Sequence, residues 1–368
     1  MRKYVAMASA AVALCLAASN GAMADSRGYV IANWAPAMNN PDDTNCPQGK
    51  NAQAADIMTY SLKANGMPAD QAAKLADPNT FSRAKFGQFA PMRGRKDGKE
   101  VLVYNHPLTA PDPHIHLDVS KEAFGFNMDG KVGPNDYTDP LTKEKGVDNA
   151  AARVFGCFDR TRGTLDNPPG NWSYRWSHYN EGNTWLMEIS TPANKPLTFQ
   201  NDDNVTVNFY RGMQLPLKNG SGYQKNVTYT IDPNRDLTKL TSFKGKISNG
   251  MFMADVTPEF RMIASSRIQP IFDFKQVRLR ISMKPDGNIR GFMAGYLPID
   301  MIYFPFGDYG VGAEYCGGMD VSGLYQALIQ NADTDLDADP KTHRRTRISQ
   351  TYQIEAVPAY LRRVSAAN

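Results

Sequence analysis

Apolar and polar residues alternate along much of the second half of the chain. The alternation is clearest at residues 277–283, where Arg278, Arg280 and Ser282 separate the apolar residues. A period of two is typical of a strand with one buried face. Residues 205–209 repeat the pattern. The sequence from residue 171 onward therefore predicts a mainly β structure.

Short turns separate these strands. The segment Pro285-Asp286-Gly287-Asn288 predicts a turn into a strand over residues 289–296, and Ser248-Asn249-Gly250 predicts a second hairpin. Strands at this spacing, joined by turns of this composition, are typical of sandwiches and jelly rolls. We therefore expect a β-sandwich or a jelly-roll-like fold with a few short helices.

The helical period occurs in only a few places. Residues 54–62 place apolar residues on one face, and a second short helix follows through Leu75. A further helix is expected near residues 321–331, with Asp320 or Ser322 as its N-cap. The sequence therefore predicts three regions, namely a signal peptide (1–24), a loop-rich N-terminal α+β region (25–170) and a β-sandwich-like region (171–368).

The first residues have the pattern of a bacterial signal peptide. Arg2 and Lys3 are basic, residues 5–18 are almost entirely apolar, and Ala22-Met23-Ala24 has the small-x-small pattern that signal peptidase cleaves. The apolar run is shorter than the ~20 residues that span a membrane, and no later run approaches that length. We expect cleavage after Ala24 and a protein that is periplasmic or secreted.

Charge limits the choice of partner. The chain has 41 Lys and Arg residues against 37 Asp and Glu residues. This near balance argues against nucleic acid or an anionic membrane as the main partner. The expected partner is an unidentified periplasmic ligand or protein, and the sequence leaves the oligomeric state open.

Three cysteines remain after the predicted cleavage, namely Cys46, Cys157 and Cys316. An oxidising compartment favours one disulfide and one free thiol. All three pairings are possible. The pairing of Cys46 with Cys157 is favoured because both residues lie in the irregular N-terminal half.

Four carboxylates occur at every second position shortly after the helix near residues 321–331. Such carboxylates repel one another unless a cation or solvent screens them, and calcium binds oxygen ligands of this type. The match to a helix–loop–helix calcium site is incomplete, because Ala338 replaces the turn glycine and Arg344 replaces the bidentate carboxylate. The alternative is a solvated loop that basic residues 343–347 neutralise. The four residues are Asp333, Asp335, Asp337 and Asp339.

A second acidic turn covers residues 126–136. Gly130 permits a sharp turn. The residues that offer oxygen ligands are Asn127, Asp129, Asn135 and Asp136, and the nearby Asp139, Asp148 and Asn149 could add more. The alternative is a hairpin rich in Asx turns, since Asn, Asp and Gly form turns with or without a metal. Together the two segments predict calcium-stabilised loops.

A transition-metal site is the third possibility. His114, His116 and Asp118 would share one face of a strand, and two imidazoles with a carboxylate can bind Zn²⁺ or another transition metal. Asp118 would be a ligand or the general base of an exported metal-dependent hydrolase. Polar residues on a half-exposed strand are the alternative.

An aromatic face is the candidate ligand-binding surface. Trp172, Tyr174 and Trp176 alternate, so a strand would present three rings on one face for a sugar or an aromatic ligand. Core packing is the alternative. The common sequence motifs of serine hydrolases, zinc proteases and nucleotide-binding proteins are absent. The favoured function is therefore a ligand-binding or accessory protein with calcium-stabilised loops, and the metal-dependent hydrolase is the alternative.

Four stretches resemble, as a set, a family of exported Gram-negative bacterial proteins that has no assigned activity. They are Phe124-Gly-Phe-Asn-Met-Asp-Gly130, the segment from Gly146 to Cys157, Gly291-Phe-Met-Ala-Gly-Tyr296, and residues 348–358. The resemblance covers most of residues 120–360. It implies an exported β protein and no particular mechanism.

Overall fold

A computed structural model describes most of the chain. The described residues are 24–38, 42–51, 54–64, 66–77, 93–110, 115–166, 184–220, 222–234, 241–263, 271–309 and 320–364.

Strands dominate the described residues, and the helices are short. The strands are β1 (Ala24–Pro36), β2 (Arg93–Lys96), β3 (Lys99–Leu102), β4 (Tyr137–Thr138), β5 (Lys145–Val147), β6 (Thr184–Ala193), β7 (Asp202–Gly212), β8 (Lys218–Asn219), β9 (Gly222–Tyr223), β10 (Val227–Thr230), β11 (Ser242–Ser248), β12 (Met251–Ala254), β13 (Thr257–Ile263), β14 (Ile271–Met283), β15 (Ile289–Pro298) and β16 (Arg347–Arg362). The α-helices are α1 (Ala54–Ala64), α2 (Ala69–Ala76), α3 (Ala150–Phe155), α4 (Ile299–Tyr309) and α5 (Val321–Gln330).

Eight antiparallel strands form a closed barrel in the order β1-β6-β7-β11-β12-β14-β15-β16. β1 also pairs with β16, with Val30 opposite Val357 and Trp34 opposite Ile354. The predicted mainly β structure is confirmed. A β-sandwich or jelly roll is not confirmed, because pairing of the first and last strands closes one sheet on itself instead of packing two sheets face to face. β1 belongs to the predicted N-terminal region, so both predicted regions contribute strands to the barrel.

Aromatic side chains fill the barrel interior. The ring of Trp34 lies 4.9 Å from that of Trp185 and 5.6 Å from those of Phe272 and Tyr352. All four residues are buried. An eight-stranded barrel is just wide enough to be filled by side chains, and this interior is a hydrophobic core.

Residues 115–166 cover the outer face of β14, β15 and β16. Phe124 stacks on Phe292 of β15 with 5.2 Å between ring centroids. Arg280 of β14 lies over the rings of Phe126 and Phe292 and forms an ion pair with Asp139 at 2.8 Å. This packing places the turn at residues 126–136 on the outside of the barrel.

The predicted disulfide between Cys46 and Cys157 is confirmed and joins two segments that are 111 residues apart in the chain. Cys316 lies outside the described residues. The predicted helix after Asp320 is also confirmed, and the Asp320 carboxylate accepts a hydrogen bond from the Gly323 N–H at 2.9 Å. None of the described helices is long and apolar enough to cross a membrane.

Candidate cation-binding site

The two predicted calcium loops meet on the outer face of β15 and β16. Tyr296 of β15 lies opposite Ser349 of β16. Asp333 accepts hydrogen bonds from the Ser349 N–H at 2.8 Å and from the Ser349 hydroxyl. The same hydroxyl oxygen accepts a hydrogen bond from the Ala150 N–H at 2.8 Å. Ser349 therefore links Asp333 directly to the segment that contains Asp148.

Asp148 connects this segment to the turn at residues 126–136. Its Oδ2 accepts hydrogen bonds from the N–H groups of Met128 at 2.7 Å and Asp129 at 3.3 Å. Burial raises the pKa of Asp148 to about 7, and the negative charges of Asp333 and Asp129 contribute to the rise. Asp148 is therefore a carboxyl group that retains a proton near neutral pH.

Burial also raises the pKa of Asp333, although hydrogen bonds from Ser349 oppose the rise. Tyr296 is 2% exposed. Its pKa is raised by burial first, and then by the negative charges of Asp148, Asp333 and Asp129. Three carboxyl groups from distant parts of the sequence thus act on one phenol. We call Asp129, Asp148, Asp333 and Tyr296 the acidic junction.

The positive charges of Arg345 and Arg278 act on Asp333 and Tyr296, but neither arginine forms an ion pair with the buried carboxyl groups of the acidic junction. Among the described residues, neither Asp148 nor Asp333 takes part in an ion pair, and Asp129 lies 4.0 Å from the Nζ of Lys131. The three carboxylates do not all come within 4.8 Å of one another in the described structure. Asp129 is exposed, and its Oδ1 accepts a hydrogen bond from the Lys131 N–H at 2.8 Å. A cation would therefore be bound partly through water, or after Asp129 has moved inward.

The other predicted ligands in the loop at residues 333–339 do not point to a shared centre. Each carboxylate makes contacts of its own, so the alternation in sequence does not give four convergent ligands. The contacts are Arg345 Nε to Asp335 at 2.7 Å, Arg347 Nε to Asp337 at 2.7 Å, and the N–H groups of Lys341 and Thr342 to Asp339 at 2.8 and 2.9 Å.

Asn127 stabilises its own turn. Its Oδ1 accepts a hydrogen bond from the Gly130 N–H at 2.7 Å, and its Nδ2 donates to the carbonyls of Lys131 and Lys145 at 2.7 and 3.2 Å. The contact of Oδ1 is local, as in an Asx-type turn, and the contact with Lys145 holds the turn to β5. Of the main predicted calcium ligands, the structure brings only Asp129 and Asp333 to the acidic junction. Asp148, which the sequence suggested as an additional ligand, lies there as well.

Sequence analysis missed Tyr296 and Ser349. The sequence feature that could have identified Ser349 is the composition of β16, which contains Ser349, Thr351 and Gln353 at alternate positions. A row of polar residues on a strand needs partners if that face is covered. All three side chains are buried here, because residues 115–166 cover them.

The predicted transition-metal site is only partly described. His114 lies outside the described residues. The Nδ1 of His116 lies 2.9 Å from the carbonyl oxygen of Gly49, and Asp118 Oδ1 accepts a hydrogen bond from the Ser120 N–H at 2.6 Å. In the described part of the chain, no set of three close ligands includes His116. The predicted aromatic face of Trp172, Tyr174 and Trp176 also lies outside the described residues.

Comparison of the chain with protein-family models, curated proteins and solved structures finds no match. The resemblance to exported Gram-negative proteins therefore stays a prediction, and the function has to be inferred from the residues themselves.

Proposed function

We propose that the protein is an exported ligand-binding or accessory protein in which calcium joins two loops at the acidic junction. The observation that carries this proposal is the meeting of Asp148 and Asp333, two half-buried carboxyl groups that have no ion-pair partner among the described residues. Asp129 adds a third carboxylate at the exposed side. Oxygen ligands of this kind suit calcium better than a transition metal.

The electrostatics of the acidic junction explain why a divalent cation would bind there. Without a cation, burial and mutual repulsion favour the protonated form of Asp148. A calcium ion would remove the repulsion, displace the proton, and hold the turn at residues 126–136 against the loop at residues 333–339. Calcium sites of extracellular modules commonly have Kd values of about 10⁻⁴–10⁻³ M, and we expect an affinity in that range.

Export is the part of the proposal that rests on sequence alone. It is supported by the basic and apolar pattern of residues 1–24. Residues 1–23 lie outside the described structure, and β1 begins at Ala24. A calcium site of modest affinity would be occupied outside the cytoplasm, where free calcium is abundant.

Thermal denaturation with calcium and with chelator tests the proposal. Saturating calcium should raise the Tm of the full chain by about 2–4 °C. Asp333→Asn and Asp148→Asn should lose this rise, because each removes a ligand charge while keeping a hydrogen-bond acceptor. Asp335→Asn is the matched control, because Asp335 lies in the same loop but pairs with Arg345.

The Tm measured without calcium separates loss of calcium binding from misfolding. Without calcium, Asp333→Asn should melt no lower than the parent near pH 8, because it relieves the repulsion with Asp148. The proposal is wrong if calcium leaves the Tm of the parent unchanged. It is equally wrong if Asp335→Asn loses the calcium response as completely as Asp333→Asn.

A further inference from the structure

A small cavity with a mostly apolar lining lies next to Asp118, the residue whose carboxylate approaches the Cys46–Cys157 disulfide. Its volume is about 20 Å³, and Asp118, Tyr137 and Gly156 contribute to its lining. One carboxylate oxygen of Asp118 and the two sulfur atoms all lie within 4.8 Å of one another. Asp118, Cys46 and Cys157 are all buried. The volume is enough for about one water molecule.

Tyr137 gives an independent indication of a ligand in this cavity. It is 3% exposed, and apart from the neighbouring Arg153 guanidinium no described residue offers its hydroxyl a hydrogen-bond partner. Buried hydroxyl groups almost always have a partner, which is often an ordered water. The cavity beside Asp118 can hold that partner.

We propose that the reduced chain binds one zinc ion through Cys46, Cys157 and Asp118, with a water in the cavity as the fourth ligand. Zinc takes four ligands in a tetrahedron, at about 2.3 Å from thiolate sulfur and 2.0–2.2 Å from carboxylate oxygen. Two sulfurs on one zinc ion are then about 3.8 Å apart. The Cα atoms of Cys46 and Cys157 are 5.8 Å apart, so rotation of the side chains brings the sulfurs to this separation. The Tyr137 hydroxyl can hydrogen-bond to the water.

The surrounding charge fits this ligand set. Two thiolates and one carboxylate carry three negative charges, one more than zinc neutralises. The Nη1 of Arg162 lies 3.0 Å from Cys46 Sγ and 2.9 Å from the Gly156 carbonyl oxygen. A guanidinium at this position favours the thiolate, although its Nη2 also pairs with Asp43 at 3.1 Å.

The site is switched by the redox state of the disulfide. A dithiol reductant transfers two electrons and two protons to the Cys46–Cys157 bond and is itself oxidised to a disulfide. Zinc then replaces the two thiol protons, which are released to solvent. When an external disulfide oxidises the two thiolates, the Cys46–Cys157 bond re-forms and zinc is released, and the oxidant takes up two protons from solvent and leaves as a dithiol. Zinc thus occupies the chain only before the disulfide closes, and the site is independent of the acidic junction.

Titration with Co²⁺ and Zn²⁺ tests the site. The full chain with Cys316→Ser is reduced with a phosphine, and Co²⁺ serves as the spectroscopic probe. We expect one Co²⁺ per chain with thiolate-to-cobalt charge-transfer absorption, displacement of Co²⁺ by Zn²⁺, and no binding by the oxidised protein. Cys46→Ser should remove the absorption, and Asp118→Asn should weaken zinc binding by about tenfold or more.

Matched controls keep the result interpretable. Asp159→Asn removes a nearby carboxylate that pairs with Lys50 outside the cavity, and it should bind zinc like the parent. Asparagine at position 118 keeps an acceptor for the Ser120 N–H, and the near-UV circular dichroism of oxidised Asp118→Asn, compared with the oxidised parent, shows whether this variant is folded. If reduction unfolds the chain, one equivalent of zinc should restore its near-UV circular dichroism. The proposal fails if the reduced parent neither binds nor refolds with one equivalent of metal, or if Asp118→Asn binds zinc as tightly as the parent.

Discussion

Arg280 is a charged residue in a position where the strand pattern predicts exposure. The alternation over residues 277–283 places it on the polar face of β14, and the structure confirms that it faces away from the barrel interior. It is nevertheless only 2% exposed, because Phe126 and Phe292 enclose it and Asp139 neutralises it. The burial of this ion pair depends on a segment more than a hundred residues away in sequence.

Replacing Arg280 should therefore be costly. Arg280→Met keeps the contacts with the two rings but leaves the carboxylate of Asp139 buried without a counter-charge. We expect a loss of about 3–5 kcal/mol in the free energy of unfolding, measured by urea denaturation near neutral pH. Lys225→Met is the matched control, because Lys225 forms an exposed ion pair with Asp286 and should lose less than about 1 kcal/mol. Equal losses in the two variants would contradict the role given to Arg280.

Asp148 makes stability depend on pH. Its pKa is about 7 in the folded protein and about 3.9 in an unfolded chain. The folded state thus binds the proton more tightly, and this contribution to stability is complete below about pH 4 and is lost as the pH rises to about 7. Asp148→Asn should flatten this part of the profile in calcium-free urea denaturation and should be more stable than the parent near pH 8. An unchanged profile would show that Asp148 ionises normally.

At the scale of elements, the features predicted correctly are those with a local cause. The hairpin between β11 and β12 follows from Asn249 and Gly250, which both have positive φ, at +51° and +79°. The helix α5 follows from its apolar face and from Asp320 as its cap. Closure of the barrel could not be predicted this way, because no local pattern in β1 specifies β16 as its partner.

Gly250 provides a direct test of this local control. Gly250→Ala should lower the free energy of unfolding by about 1 kcal/mol, because a residue with a Cβ atom is disfavoured at positive φ. Gly222→Ala is the control, since Gly222 does not have a positive φ and a Cβ atom there would contact nothing within 4 Å. Urea denaturation of both variants measures the difference. A loss no larger for Gly250→Ala than for Gly222→Ala would mean that the turn tolerates a side chain.

At the scale of the whole molecule, the acidic junction forms because the barrel closes and because residues 115–166 lie across its outer face. The composition of the two acidic loops identified Asp129 and Asp333, and the sequence also suggested Asp148. Composition could not show that Asp335 and Asp337 pair with arginines. Nor could it show that Ser349 links Asp333 to the segment after Asp148, because that contact requires residues 115–166 to lie across β16.

Isothermal titration of calcium into the chelator-treated full chain tests the central claim most directly. Near pH 6, in buffers with different ionisation enthalpies, we expect one calcium ion per chain, a Kd of about 10⁻⁴–10⁻³ M, and release of protons on binding. Asp148→Asn should reduce the proton release and weaken binding, whereas Asp335→Asn should leave both unchanged. Absence of binding by the parent, or binding that is unchanged in both Asp148→Asn and Asp333→Asn, would contradict a calcium site at the acidic junction.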